Sequence, residues 1–135
     1  MRNKLIVLAL VLVSLVLTAP GFAARKPTSS VSLVVLSSTQ ALTASATATQ
    51  GDQVTFDVTT DSDRPYVKLN CYQGGSWVYA DAKGFWAGYA DGQNFTLAAA
   101  SWPSGAADCT ASLGSLNADG TRFRELASTS FHVDA

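Results

Sequence analysis

Cys71 and Cys109 are the only cysteines in the chain, and both follow an N-terminal stretch with the features of an export signal. In an oxidising compartment, two thiols on strand-like segments make a structural bridge rather than a reactive pair; two separate buried thiols are the alternative. Other chemistry is sparse. His132 is the only histidine, so any Ser-His-Asp arrangement would have to use it. Lying between Phe131 and Val133, it has the opposite parity to both, that of a solvent-facing strand residue. The chain has no Gly-x-Ser-x-Gly elbow, no paired metal-ligand histidines, no phosphate-cradling glycine loop and no cysteine spacing suited to zinc. Most of its ten carboxylates fall at turns, where Asp is favoured on backbone grounds alone. Asp61 and Asp63 are the one metal candidate: with loop carbonyls they could share a Ca²⁺, although a tight site wants further carboxylates. Asn94-Phe95-Thr96 matches the glycosylation acceptor triplet. These residues assign no catalytic group and no cofactor, and the chain reads as a non-enzyme.

The export signal has its three parts in order. Arg2 and Lys4 form a positive leader, Leu5 to Leu17 an apolar run broken only by Ser14, and Gly21-Phe22-Ala23 a small-x-small cleavage pattern. Residues 1–23 are therefore expected to be a signal peptide, helical in its apolar run and cleaved near Ala23. A retained anchor needs about 18 apolar residues, and this run ends short of that before Pro20 and Gly21. No cysteine stands at the cleavage site and no apolar tail follows Phe131, so neither lipidation nor a C-terminal anchor is expected. The implied location is periplasmic or extracellular, with no membrane association once the signal is removed. Losing Arg2 and Lys4 leaves seven basic against ten acidic side chains, a net charge of −3. A surface that tracks phosphates is not expected, so nucleic acid is excluded as a partner.

These residues must be positioned by strands. Thr, Ser, Val and Ala are abundant and charges few, which favours pleated, half-buried segments over helices. Residues 24–30, with Pro27, form a flexible lead-in, and 31–135 form one domain with one core. Val31 to Leu36 suits a first strand. Ala41 to Gln50 alternates Leu42, Ala44, Ala46 and Ala48 with hydroxyls at period two; a low-complexity stalk is the alternative. After a Gly51-Asp52 turn, Val54, Phe56 and Val58 alternate with Thr55, Asp57 and Thr59. Tyr66 to Gln73 sets Val67, Leu69 and Cys71 against Tyr66, Lys68, Asn70 and Tyr72. Gly74-Gly75 signals a hairpin into Ser76 to Ala80. Asp81 to Gly92 has no clear period. Asn94 to Ala98 and Ala106 to Leu113 are strands, the second with Ala107, Cys109, Ala111 and Leu113 on one face. Asn117 to Gly120 turns the chain into a last strand, Thr121 to Val133, with a bulge near Glu125-Leu126.

Seven or eight short strands spaced by turns about every ten residues suit an all-β, two-sheet sandwich of the immunoglobulin-like kind. The segment from Gly51 to Thr60, the two cysteines and the closing Ala127 to Val133 strand resemble the bacterial immunoglobulin-like domains of secreted and surface proteins. The resemblance covers nearly all of the chain after the signal and implies a fold rather than an activity. It departs from antibody domains in two ways. Ala107 stands where a tyrosine corner would have Tyr, two residues before the later cysteine, and Cys71 lies on the third strand counted rather than the second. The bridge would then join the third and sixth strands, neighbours within one sheet.

The aromatic residues carry the functional hint. All three Trp and all four Tyr lie between Tyr66 and Trp102. Phe95, Trp102 and one of Phe85 or Trp86 are expected in the core. Tyr66, Tyr72, Trp77 and Tyr79 alternate away from the apolar set, which places them on an outer sheet face with Lys68, Asp108, Thr110, Arg124 and His132. Such a face could bind a protein or a glycan. Alternatively, Trp77 and Tyr79 cover a neighbouring loop or residues 81–92. A self-assembling envelope component, pairing by sheet edges, is a third expectation.

Overall fold

The computed structural model describes residues 28–36 and 47–135. The signal peptide, most of the lead-in and Ala41 to Ala46 lie outside the described residues. Eight strands follow in chain order: β1 (Ser30–Val35), β2 (Ala48–Thr49), β3 (Gln53–Thr59), β4 (Pro65–Gln73), β5 (Ser76–Gly84), β6 (Phe95–Thr96), β7 (Ala107–Leu116) and β8 (Phe123–Asp134). They form a three-stranded sheet in the order β1-β3-β6 and a five-stranded sheet in the order β2-β8-β7-β4-β5. Among the described residues there is no helix, and so none long and apolar enough to cross a membrane.

Period-two alternation sends one side of each strand between the sheets. Val54 and Phe56 of β3, Val67, Leu69 and Cys71 of β4, and Ala107, Cys109, Ala111 and Leu113 of β7 are all buried there. Phe56 ties the layers together, meeting Phe95 at 5.5 Å on its own sheet and Phe131 of β8 at 6.2 Å on the other. The expected core residues Phe95 and Trp102 are both buried, and Phe85 packs against the same cluster.

The cysteines are directly opposed on β4 and β7 and are joined, with their Cα atoms 4.0 Å apart. The bridge lies within one sheet, between neighbouring strands, and both its sulfurs face the core. Gly74 and Gly75 close the β4–β5 hairpin with φ of +52° and +83°, the paired positive values of a type I′ turn.

Two bulges govern which side chains reach the outer face. On β5, Cys71 pairs with Tyr79 and Tyr72 with Trp77, so Val78 is the extra residue. On β8, Leu113 pairs with Ala127 and Gly114 with Glu125, so Leu126 is the extra residue, where the sequence places a bulge. Each extra residue reverses the alternation of its strand beyond that point. Asp81 to Gly92, without a clear period, is resolved into the end of β5 up to Gly84 and an irregular segment after it.

Candidate functional site

The outer face of the five-stranded sheet is a grid set by cross-strand register. One row runs Gly84, Tyr66, Gly114, Glu125 across β5, β4, β7 and β8. The next rows are Ala82, Lys68, Ser112, Ser128 and then Ala80, Asn70, Thr110, Ser130. The last is Trp77, Tyr72, Asp108, His132. Of the nine residues expected on this face, seven occupy it: Tyr66, Lys68, Tyr72, Trp77, Asp108, Thr110 and His132.

The other two require correction. Tyr79 is 6 % exposed and meets the Trp102 ring at 6.4 Å on the inner side. The bulge at Val78 turns Tyr79 inward while leaving Trp77 outward. Burial, with the charge and hydrogen bond of Asp81, pushes its phenol pKa up to about 12, so Tyr79 stays neutral. Arg124 stands opposite Ser115, and the bulge at Leu126 gives its place beside Lys68 to Phe123, whose ring lies 4.0 Å from Lys68 Nζ.

The two ends of the grid differ. At the Tyr66 end, glycines flank the tyrosine on both neighbouring strands, and rings from elsewhere fill the space they leave. Trp86 and Tyr89 fold over Gly84, and Phe123 lies over Gly114. Trp86 meets Tyr66 edge-on at 4.9 Å and Tyr89 at 5.0 Å, which covers this end. Sequence alternation missed these three rings, although Gly84 and Gly114 at outward positions beside Tyr66 signal that a ring could lie flat there.

This arrangement distinguishes the two glycines. A Cβ on Gly114 would meet the Arg124 carbonyl as well as the Phe123 ring, and backbone cannot yield cheaply. Gly114→Ala is expected to cost about 1–3 kcal/mol, read as a lowered denaturation midpoint. The nearest atoms to a Cβ on Gly84 all belong to the Trp86 and Tyr89 rings, which can swing away, so Gly84→Ala should cost less and uncover Tyr66. Equal midpoints for the two variants would contradict this packing.

At the other end the face is open. Trp77 is 55 % exposed and Tyr72 43 %, side by side across the hairpin. Asp108 follows on β7 with 85 % of its side chain exposed. Its Oδ1 lies 2.7 Å from His132 Nδ1, and His132 Nε2 lies 3.7 Å from Asp134 Oδ1. The hydrogen bond to Asp108, followed by the charges of Asp108 and Asp134, raises the His132 pKa above its ordinary value. Both ring nitrogens therefore face carboxylates, and no serine or threonine hydroxyl bonds either of them among the described residues. The imidazole can hold a proton here between the two carboxylates.

Asp61 and Asp63 lie exposed between β3 and β4. No group of three or more His, Cys, Asp or Glu side chains suited to a metal ion occurs among the described residues. The lone histidine, expected to face solvent, lies on the outer face with half its side chain exposed. No family model, curated protein or solved structure matches this chain.

Proposed function

We propose that the chain is a secreted, non-enzymatic immunoglobulin-like module that recognises a partner protein through the open end of its outer sheet face. The strand order supports the fold. The orders β1-β3-β6 and β2-β8-β7-β4-β5 can be read as A-B-E and A′-G-F-C-C′, which supports an immunoglobulin-like plan with C′ added to the G-F-C sheet. The short β2, parallel to β8, takes the A′ place. The export-signal pattern and the formed disulfide support an oxidising, extracytoplasmic location.

The exposure of Trp77 and Tyr72 as adjacent rings carries the functional reading. Large aromatic side chains are the usual anchors of protein interfaces because they bury much area at low entropy cost. A glycan is the second reading, favoured by the flat hydroxyl-lined grid of Thr110, Ser112, Ser128 and Ser130 beside the rings. Assembly through β5, the long outermost strand, is disfavoured. The Ala82 N–H already donates to Asp81 Oδ1 at 2.8 Å, and the Val78 carbonyl accepts from the Ser101 hydroxyl at 2.5 Å. With these two groups taken, the edge offers fewer free partners to a further strand.

The test is retention of partners from culture medium and envelope extracts by the immobilised mature protein, set against a Trp77→Ala/Tyr72→Ala variant. A specific partner should be lost from the variant by at least about 30-fold, the scale of an interface hot spot. Equal retention by both would remove this face from recognition.

A further inference from the structure

We propose that the Trp77–Tyr72–Asp108 row receives an arginine side chain from a basic segment of the partner protein, its guanidinium over Tyr72 and against Asp108. The inference rests on the recognition reading above and names what that face recognises.

The row is built by register, so its spacing follows from the sheet. Trp77, Tyr72, Asp108 and His132 stand on four adjacent strands. Neighbouring strands lie about 4.8 Å apart, so the row is about 15 Å long and Tyr72 and Asp108 are one strand spacing apart. A planar cation stacked on the tyrosine can therefore donate to the carboxylate beside it, while its aliphatic stem lies along Trp77. Asp108 is suited to this role. His132 occupies its Oδ1, and with 85 % of the side chain exposed it keeps acceptor capacity for an incoming donor.

Charge complementarity selects the occupant. Asp108 and Asp134 flank His132, and Asp52 stands in the turn beyond β2 with Oδ2 on the Thr49 N–H. Apart from His132, no basic side chain faces this row from β2, β4, β5, β7 or β8 among the described residues; Lys68 is two rows away over Phe123. The end of the face therefore presents exposed rings beside two carboxylates whose one basic neighbour is His132. Guanidinium fits both features, since it stacks on aromatic faces, sheds water more readily than ammonium and presents a planar fork of donors to a carboxylate. An uncharged sugar would satisfy the rings and leave the charge unmet. The same face already holds one cation on a ring, Lys68 on Phe123.

His132 makes the receptor pH-sensitive. The groups facing its ring are Asp108 from β7 and Asp134 from its own strand; Tyr72 of β4 and Thr49 of β2 are the neighbours of those carboxylates and carry no charge. Once protonated, the imidazole is an internal cation between the two carboxylates and competes with the incoming guanidinium. Binding should therefore weaken as the pH falls through the histidine titration.

The test is a titration of the ¹⁵N-labelled mature protein with a blocked tetra-arginine peptide, and with the same peptide carrying neutral citrulline at each arginine. The arginine peptide should shift the Trp77 indole and the Tyr72, Asp108 and His132 amides, and the citrulline peptide should not. Asp108→Asn and Trp77→Ala, both at exposed positions, should each weaken binding roughly threefold. Wild-type affinity should fall between about pH 8 and about pH 5, and His132→Gln should flatten that dependence. Equal binding of the citrulline peptide, indifference to Asp108→Asn, or shifts centred elsewhere would overturn the inference. If a soluble glycan moves the Trp77 indole while the arginine peptide does not, the inference fails but the recognition face stands. If partner retention is also unchanged in the Trp77→Ala/Tyr72→Ala variant, both fail.

Discussion

Replacing Cys71 and Cys109 together by alanine is expected to destabilise the folded domain by about 4 kcal/mol and lower its melting temperature by roughly 15–30 °C. The bridge closes a loop with a sequence separation of 38 residues, and the magnitude follows from the entropy that such a loop removes from the unfolded chain. Both sulfurs are buried, so alanine is the better replacement; serine would add a buried hydroxyl in need of a partner. Because the uncrosslinked chain expands further on unfolding, the denaturant m-value should rise as the midpoint falls. Urea unfolding of the oxidised protein and the double variant measures both quantities. A loss below about 1 kcal/mol would mean that the hydrogen bonds and packing of β4 and β7 hold those strands together without the bridge.

The second large effect is expected at Trp102. Its ring is 2 % exposed, its indole N–H donates to the Gly105 carbonyl at 2.8 Å, and the ring meets that of Tyr79 at 6.4 Å. Its own carbonyl accepts from Gln50 Nε2 at 2.8 Å, tying the turn to the chain after β2. Trp102→Ala should cost about 3–5 kcal/mol, the usual range for emptying a buried indole site. Trp102→Phe keeps most of the apolar contact and leaves the Gly105 carbonyl without its donor, so about 1–2 kcal/mol is expected. The neighbouring Ser101 hydroxyl holds the Val78 carbonyl at the β5 bulge. Loosening this turn should therefore also free the bulge that directs Trp77 outward. Chemical denaturation reads the first effect, and line broadening of the Trp77 indole signal reads the second. A Trp102→Ala protein as stable as the parent would show that the turn carries little of the core.

Most strands were legible because one face of each is buried and the alternation is clean. The Val54, Phe56, Val58 series and the Val67, Leu69, Cys71 series specify both their strands and the side that faces inward. The Gly74-Gly75 pair specified the hairpin, since two consecutive positive φ values suit glycine above all. The count of strands between turns put the cysteines on the third and sixth strands, and their neighbouring placement followed from the immunoglobulin-like resemblance.

The site was legible where alternation runs unbroken and was misread past each bulge. On β4 and β7, Tyr66, Lys68, Tyr72 and Asp108 fall where parity puts them. On β5, Val78 and Tyr79 are both buried, which a strict two-residue repeat cannot express. On β8, a bulge near Glu125-Leu126 already implies that parity reverses before Arg124; carrying that reversal through exchanges Arg124 for Phe123. Trp86 and Tyr89 were hidden for a different reason. They reach the face from an irregular segment with no period, drawn there by the room above Gly84, and only tertiary packing reveals that.

Joining the middle of the chain to itself also limits how far the protein can lengthen under tension. If a load pulled the body apart from its two ends, the residues between Cys71 and Cys109 could not pay out while the sulfurs remained joined. At about 3.4 Å per residue, the 38-residue span withholds roughly 130 Å of extension. A reductant would release that reserve as a separate step in a force trace, so the molecule's reach would depend on the redox state of its surroundings.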